Sequence, residues 1–194
     1  MILEKSAIKA MVRQVHNLGE AVKAHWDDWL GGLTARFVFA AVLWPYYLNS
    51  AMTKPGMGPL GIFMPGPGAF AQIIPTIAEA HSYDPGAIAF FPWHIIVIAG
   101  TLAEFVLPIL IVLGVVTRLA ALGMIGFIIV QSLVDIYAHG AMSGALFDGD
   151  PTGVMDQRVL WIFPLVLLAA IGAGQWSVDG LWRRGIARDA HDGR

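Results

Sequence analysis

The sequence predicts an all-α membrane protein: a four-helix transmembrane bundle with an N-terminal amphipathic interfacial helix. Three observations carry that prediction. Composition is the first, since 57% of the 194 residues are hydrophobic, only 13% are charged and the mean hydropathy is +0.66. A soluble domain of this length has about a quarter of its residues charged. Length is the second: apolar runs over about 33–50, 91–113, 119–137 and 159–173 match the ~20 residues with which a helix crosses a hydrocarbon layer. Charge placement is the third. Of the 12 Lys and Arg, all but Lys54 and Arg158 lie in the amino-terminal flank, at the hairpin residue Arg118, or in the tail with Arg183, Arg184, Arg188 and Arg194. The positive-inside bias therefore places both termini in the cytoplasm and both long loops outside.

Residues 1–32 form the first unit. Ile8, Met11, Val12, Val15, Leu18 and Val22 recur at helical spacing among Glu4, Lys5, Lys9, Arg13, Glu20 and Lys23. With neither a continuous apolar run nor a small-residue cleavage site, the segment is not a secretory signal peptide. It reads as an amphipathic helix lying on the membrane surface, anchored by Trp26 and Trp29, or else as a solvated helix that docks on a partner subunit. His16 and His25 belong to its surface.

The bundle occupies 33–182. Its first span enters with Arg36 and leaves through Trp44-Pro45-Tyr46-Tyr47, and Pro45 is expected to bend or end the helix, since it lacks an amide donor. The connection 51–90 packs Pro55, Gly56, Gly58, Pro59, Gly61, Pro65, Gly66, Pro67 and Gly68 into its first half, which excludes a spanning helix. Residues 69–80 can form a short amphipathic helix, and a structured loop of this length is commonly functional. The second and third spans meet in the tight turn 114–118. The next connection, 138–157, is rich in Gly, Asp and Pro, and Arg158 opens the last span. Bends are expected near Pro45, Pro108 and Pro164, and small residues such as Gly123 and Gly126 permit close helix approach. The basic tail 183–194 is expected on the anionic cytoplasmic surface.

Ionisable groups inside apolar runs are costly, so each needs a partner, a wet cavity or a function. His94, Thr101 and Glu104 fall within a sector of about 80° on the second span. Gln131, Asp135 and His139 share a face of the third. If both stripes point inward, they form a polar ladder from the outer surface to mid-membrane. Plainer readings stand beside this one. Glu104 can be a structural ion-pair member with Arg36, Arg118 or Lys54, and Asp135 and His139 can be a wet pair near the interface. His94 can be an ordinary interfacial residue. His94 and His139 could ligate a b-type haem in principle, but no supporting pattern accompanies them. Asp148-Gly149-Asp150-Pro151-Thr152-Gly153 imitates a calcium loop without its closing glutamate, so no metal site is predicted. The absence of cysteine excludes disulfide chemistry within the chain and iron–sulfur ligation. No nucleic-acid partner is indicated.

Arg36, Lys54 just past the first span, Glu104 within the second, Leu113-Gly114-Val115-Val116-Thr117-Arg118-Leu119-Ala120-Ala121 at the hairpin and Gly172-Ala173-Gly174-Gln175-Trp176-Ser177-Val178-Asp179-Gly180 after the fourth span together resemble the DoxX family. The resemblance covers about 33–182; the enlarged loops and the amino-terminal helix depart from it. It implies a small multi-pass protein of a bacterial-type inner membrane, a subunit of a quinone-linked oxidoreductase such as thiosulfate:quinone oxidoreductase. On that footing a quinone would sit in the outer half of the bundle. Lys54 or His94 would donate to a carbonyl oxygen, and Glu104 or Asp135 would pass protons as the catalytic carboxylates. Tyr47 and Trp93, with Trp44 and Tyr46, would wall the ring; His139 joins the quinone-binding candidates. Arg36, Arg118 and Arg158 are the structural ion-pair candidates. Any redox centre would come from a bound molecule or from another membrane or periplasmic subunit, with a homo-oligomer as the other possible assembly. Two further functions fit the residues: a structural or assembly subunit of a larger complex, and a small proton-coupled transporter using Glu104, which the lack of a visible internal repeat disfavours.

Overall fold

The computed structural model describes residues 2–58 and 60–192. Among them there is no β-strand, only an isolated antiparallel bridge between Pro55 and Pro65. The helices are α1 (Ile2–His25), α2 (Gly31–Ala51), α3 (Pro67–Ile73), α4 (Pro75–Ala80), α5 (Ile95–Leu113), α6 (Thr117–Tyr137), α7 (Val154–Ile171) and α8 (Val178–Asp192). Three helical stretches, Phe90–Leu113, Thr117–Tyr137 and Val154–Ile171, are long and apolar enough to cross a membrane. The chain is a membrane protein. α2 is as long as α6, but Arg36, the Trp44–Tyr47 cluster, Asn49 and Ser50 dilute its apolar character.

α2, α5, α6 and α7 pack in a ring, α2 against α5 and α7 and α6 against the same two. Ala35, Phe39, Leu43, Tyr47 and Ala51 are the buried face of α2, a ridge of every fourth residue. Such a ridge drifts ~40° per step. The drift lets one helix meet both neighbours. Phe39, Leu43 and Tyr47 join Ile111, Met124, Ile128, Leu165 and Leu168 in the core. The outer faces carry large apolar side chains such as Phe37, Leu119, Val130, Leu160 and Phe163, the distribution a lipid-facing surface requires.

At the hairpin end the chain turns tightly. Gly114 closes α5 in the left-handed conformation, φ 71°, which glycine adopts without steric cost. α2 comes closest to its neighbours at Gly32, where an added Cβ would lie 2.6 Å from the Gly172 carbonyl oxygen. At the opposite, loop end, the connection 51–90 folds back on α5. Pro67 and Pro75 each start a short helix, the position where the missing amide is not needed. Ile74 leaves the helical region because it precedes Pro75. The expected helix over 69–80 is therefore two helices. Ala69, Phe70, Ala78, Ile88 and Val97 form a second core beneath them, against which Trp93 packs.

The structure fixes four boundaries that the sequence left open or placed elsewhere. Pro45 does not end α2, which runs on to Ala51; neighbouring helices hold a proline-containing turn together in such bundles. α7 begins at Val154, so Arg158 lies one turn inside it rather than at its start. The basic tail is largely helical, because Ser177 Oγ accepts the Gly180 amide at 3.0 Å and caps α8. The amino-terminal helix is not separated from the first long helix: a π-helical turn, Trp26–Leu30, joins α1 to α2 with helical backbone on both sides. Side chains 11–26 of this segment are exposed.

Candidate functional site

The deepest polar group is built from the end of α2 and the middle of α5. The turn after Ala51 folds Lys54 back, its amide on the Ala51 carbonyl at 3.2 Å. Its ammonium then lies over the last carbonyls of α2, which have no partner within the helix. It donates to the Ser50 carbonyl at 3.2 Å and the Ser50 hydroxyl at 2.9 Å. Its Nζ lies 2.5 Å from Glu104 Oε2, with the two side chains 3% and 4% exposed. Ser50 in turn donates to Glu104 Oε1 at 3.2 Å. Two of the three ammonium donors thus bond Ser50, and the charge pairs with Glu104 Oε2, which is buried and accepts no hydrogen bond among the described residues. Of the basic partners considered for Glu104, Lys54 is the one it meets. Thr101, a turn earlier on α5, turns back to the Val97 carbonyl at 2.8 Å.

A second group joins α2, α6 and α7. Arg158 Nη2 lies 2.8 Å from Asp135 Oδ2, and the guanidinium stacks over the Trp161 ring at 3.8 Å. Its Nε and Nη1 are buried without a hydrogen-bond partner. Next to this pair, Tyr47 donates to Gln131 Oε1 at 3.2 Å while Gln131 Nε2 donates to the Tyr46 hydroxyl at 2.9 Å. Tyr46 packs edge-on against Trp161 with centroids 4.7 Å apart. The charges of Arg158, Glu104 and Asp135 all act on the Tyr47 hydroxyl. Tyr47 is thus a fully buried core residue between two ion pairs.

The histidines face the loop. His94 Nε2 donates to the Pro85 carbonyl at 3.1 Å, because a carbonyl can only accept; in the neutral ring Nδ1 is therefore the basic nitrogen. The ring stacks on Phe90 and meets the edge of Phe70, with centroids 5.5 and 4.8 Å away. It lines a groove of about 360 Å³ with Phe63, Met64, Pro65, Phe90 and Ile98. His139 Nε2 reaches the Gln72 carbonyl at 3.2 Å. The two histidines tie separate loop segments to α5 and α6. The stripes read from the sequence do not form one continuous ladder: the structure divides them into a Lys54–Glu104 pair, an Asp135–Arg158 pair and two loop ties. Among the described residues no three His, Asp or Glu side chains converge as a metal site requires.

The segments that carry the family resemblance meet at the hairpin end. Arg36 donates to the Val112 carbonyl from Nε at 3.2 Å and Nη2 at 2.6 Å, and to the Trp176 carbonyl at 2.6 Å. It covers the negative end of the α5 dipole with carbonyl bonds, where the sequence suggested an ion pair. Asp179 does the complementary job for α6, accepting the Val116 and Thr117 amides at 2.8 Å and the Thr117 hydroxyl at 2.7 Å. Burial pushes the Asp179 carboxyl upward, but the Thr117 and Val116 hydrogen bonds and nearby Arg183 outweigh it and hold the group below its ordinary value. Arg118 lies along Gly172 and has no hydrogen-bond or ion-pair partner among the described residues.

The fold and these groups define a polytopic helical membrane protein whose interior charges are paired across helices. The chain matches no family model, no curated protein and no solved structure.

Proposed function

We propose that this chain is the quinone-binding membrane subunit of an oxidoreductase, with α2 as a fourth span beside the three apolar ones and α1 as an interfacial helix. The DoxX-like residues motivate the class and an inner-membrane location with cytoplasmic termini. The observation that carries the site is the groove at the loop end, where apolar and aromatic walls from Phe63, Met64 and Phe90 meet one titratable ring, His94. That composition suits a flat ring with a polar rim. Protonated His94 donates to a quinone carbonyl, and neutral His94 accepts the quinol proton at Nδ1. With no cysteine in the chain, electrons enter from the redox centre of a partner subunit. Asp135, partly exposed beside Arg158, is the carboxylate placed to exchange protons with water; Glu104 holds the α2–α5 seam.

Quinone-dependent thermal stabilisation of the purified protein tests the assignment. It is expected to disappear in His94→Ala and to persist in Asp135→Asn; unchanged binding in His94→Ala removes the groove from the mechanism. A second reading, a structural or assembly subunit, is favoured by the buried Lys54–Glu104 pair and the exposed side chains 11–26 of the amino-terminal segment. Gentle extraction from native membranes separates the two. A stoichiometric redox partner with quinone supports the first reading, and a partner without quinone supports the second. Proton-coupled transport is the third reading, and absence of flux in sealed vesicles excludes it.

A further inference from the structure

The hairpin end carries a groove that the quinone reading does not use. It encloses about 450 Å³ between α8 and the α5–α6 turn, lined by Arg118, Ile171, Asp179, Trp182, Arg183 and Ile186 among others. Two cations face it. Arg118 has no partner among the described residues, and Arg183 makes one long contact, Nε to the Asp179 carbonyl at 3.4 Å, leaving its terminal nitrogens available. The acid in the lining is already engaged, since both Asp179 oxygens accept bonds from Val116 and Thr117. The walls beside the cations are apolar, and Val178, Leu181, Trp182 and Ile186 form an exposed apolar face on α8 at i, i+3, i+4 and i+8 spacing. α8 therefore has the pattern of a helix that lies in the headgroup layer.

We infer that this groove holds an anionic phospholipid, its phosphate between Arg118 and Arg183 and its acyl chains against Ile171, Trp182 and Ile186. Guanidinium groups bind phosphate oxygens through paired N–H donors. The apolar wall selects a lipid over free phosphate, because only a lipid brings chains to cover it. The site lies at the opposite end of the bundle from His94, so it stands or falls independently of quinone binding.

The test uses the full-length protein, delipidated in neutral detergent, with thermal unfolding followed as phosphatidylglycerol, phosphatidylcholine or inorganic phosphate is added. Saturable stabilisation by phosphatidylglycerol alone is expected, weakened about tenfold in apparent affinity in Arg118→Gln/Arg183→Gln. Arg188→Gln, outside the groove, is expected to bind as the parent does. Arg118→Lys, which keeps the charge and loses the fork, is expected to fall between. Each variant's melting without lipid shows that it is folded. Equal stabilisation by phosphatidylcholine, or an unweakened effect in the double variant, overturns the proposal. Stabilisation by inorganic phosphate to the same extent overturns the lipid as occupant.

Discussion

Lys54 and Glu104 show how one buried pair decides the behaviour of its neighbourhood. Removing one partner strands a charge in a medium that solvates it poorly, which costs about 3–5 kcal/mol. Lys54→Met is accordingly expected to destabilise the protein by about that amount in detergent unfolding. Lys54→Met/Glu104→Met is expected to recover most of the loss; a double variant as unstable as the single one would show that the pair is not the cause. Glu104 was legible in the sequence as a group needing a partner, because it interrupts an apolar run. Its partner was not, since Arg36, Arg118 and Lys54 are all cationic and only the turn after Ala51 brings Lys54 back over Ser50. The same limit applied to His94: the spacing put it on the Glu104 stripe, whereas the folded loop supplies the Pro85 carbonyl that fixes its ring. At Asp179 the charged form is the one that is bonded, and its folded value is depressed. Its contribution is present above the ordinary value of 3.8 and is lost as pH falls through the lower folded value. Acid unfolding of the parent should include this loss, and Asp179→Asn should lack it.

Close approach sets the constraints on whole helices. A methyl at Gly32 meets the backbone of residues 172–173, whereas one at Gly126 meets nothing within 4 Å. Gly32→Ala is expected to cost about 1–3 kcal/mol and Gly126→Ala to be neutral or slightly stabilising, as unfolding midpoints would show. Equal effects would mean that the α2–α7 end adjusts freely. The apolar stretches of α5 and α6 were legible from composition, because an apolar run of that length has few alternatives. The start of α7 was not, since residues 154–157, with Asp156 and Gln157 among them, read as loop until packing beside α6 extends the helix. α8 carried a readable sign, Ser177 followed by Gly180 with Asp179 between, but the basic charge of the tail drew the reading to its place on the cytoplasmic surface and not to its conformation. Pro75 was visible as a breaker, and its effect on Ile74 follows from proline sterics alone.

Across the whole molecule, charge is used twice in different ways. Interior charges close the seams between helices at the loop end, and charges at the hairpin end cap helix termini and leave Arg118 and Arg183 lining the groove beside α8. Loss of the α1 segment by truncation before Trp26 is expected to leave the melting temperature of the bundle within about 2 °C, because surface segments away from core features contribute little; a larger drop in thermal unfolding would show that α1 packs on the bundle. The π-helical turn at Trp26–Leu30 carries one further consequence, which concerns the length of the chain and not its chemistry. A π turn accommodates one residue more than an α turn. Deleting a single residue there would restore α-helical geometry and leave the azimuth of everything amino-terminal to it nearly unchanged, because the wider turn had absorbed that residue. The stripe of Met11, Val15, Leu18 and Val22 would keep its direction, and every contact within the bundle would stay as it is. The turn thus absorbs a one-codon change in length, and related chains with and without that codon would present the same amphipathic helix to the same neighbours.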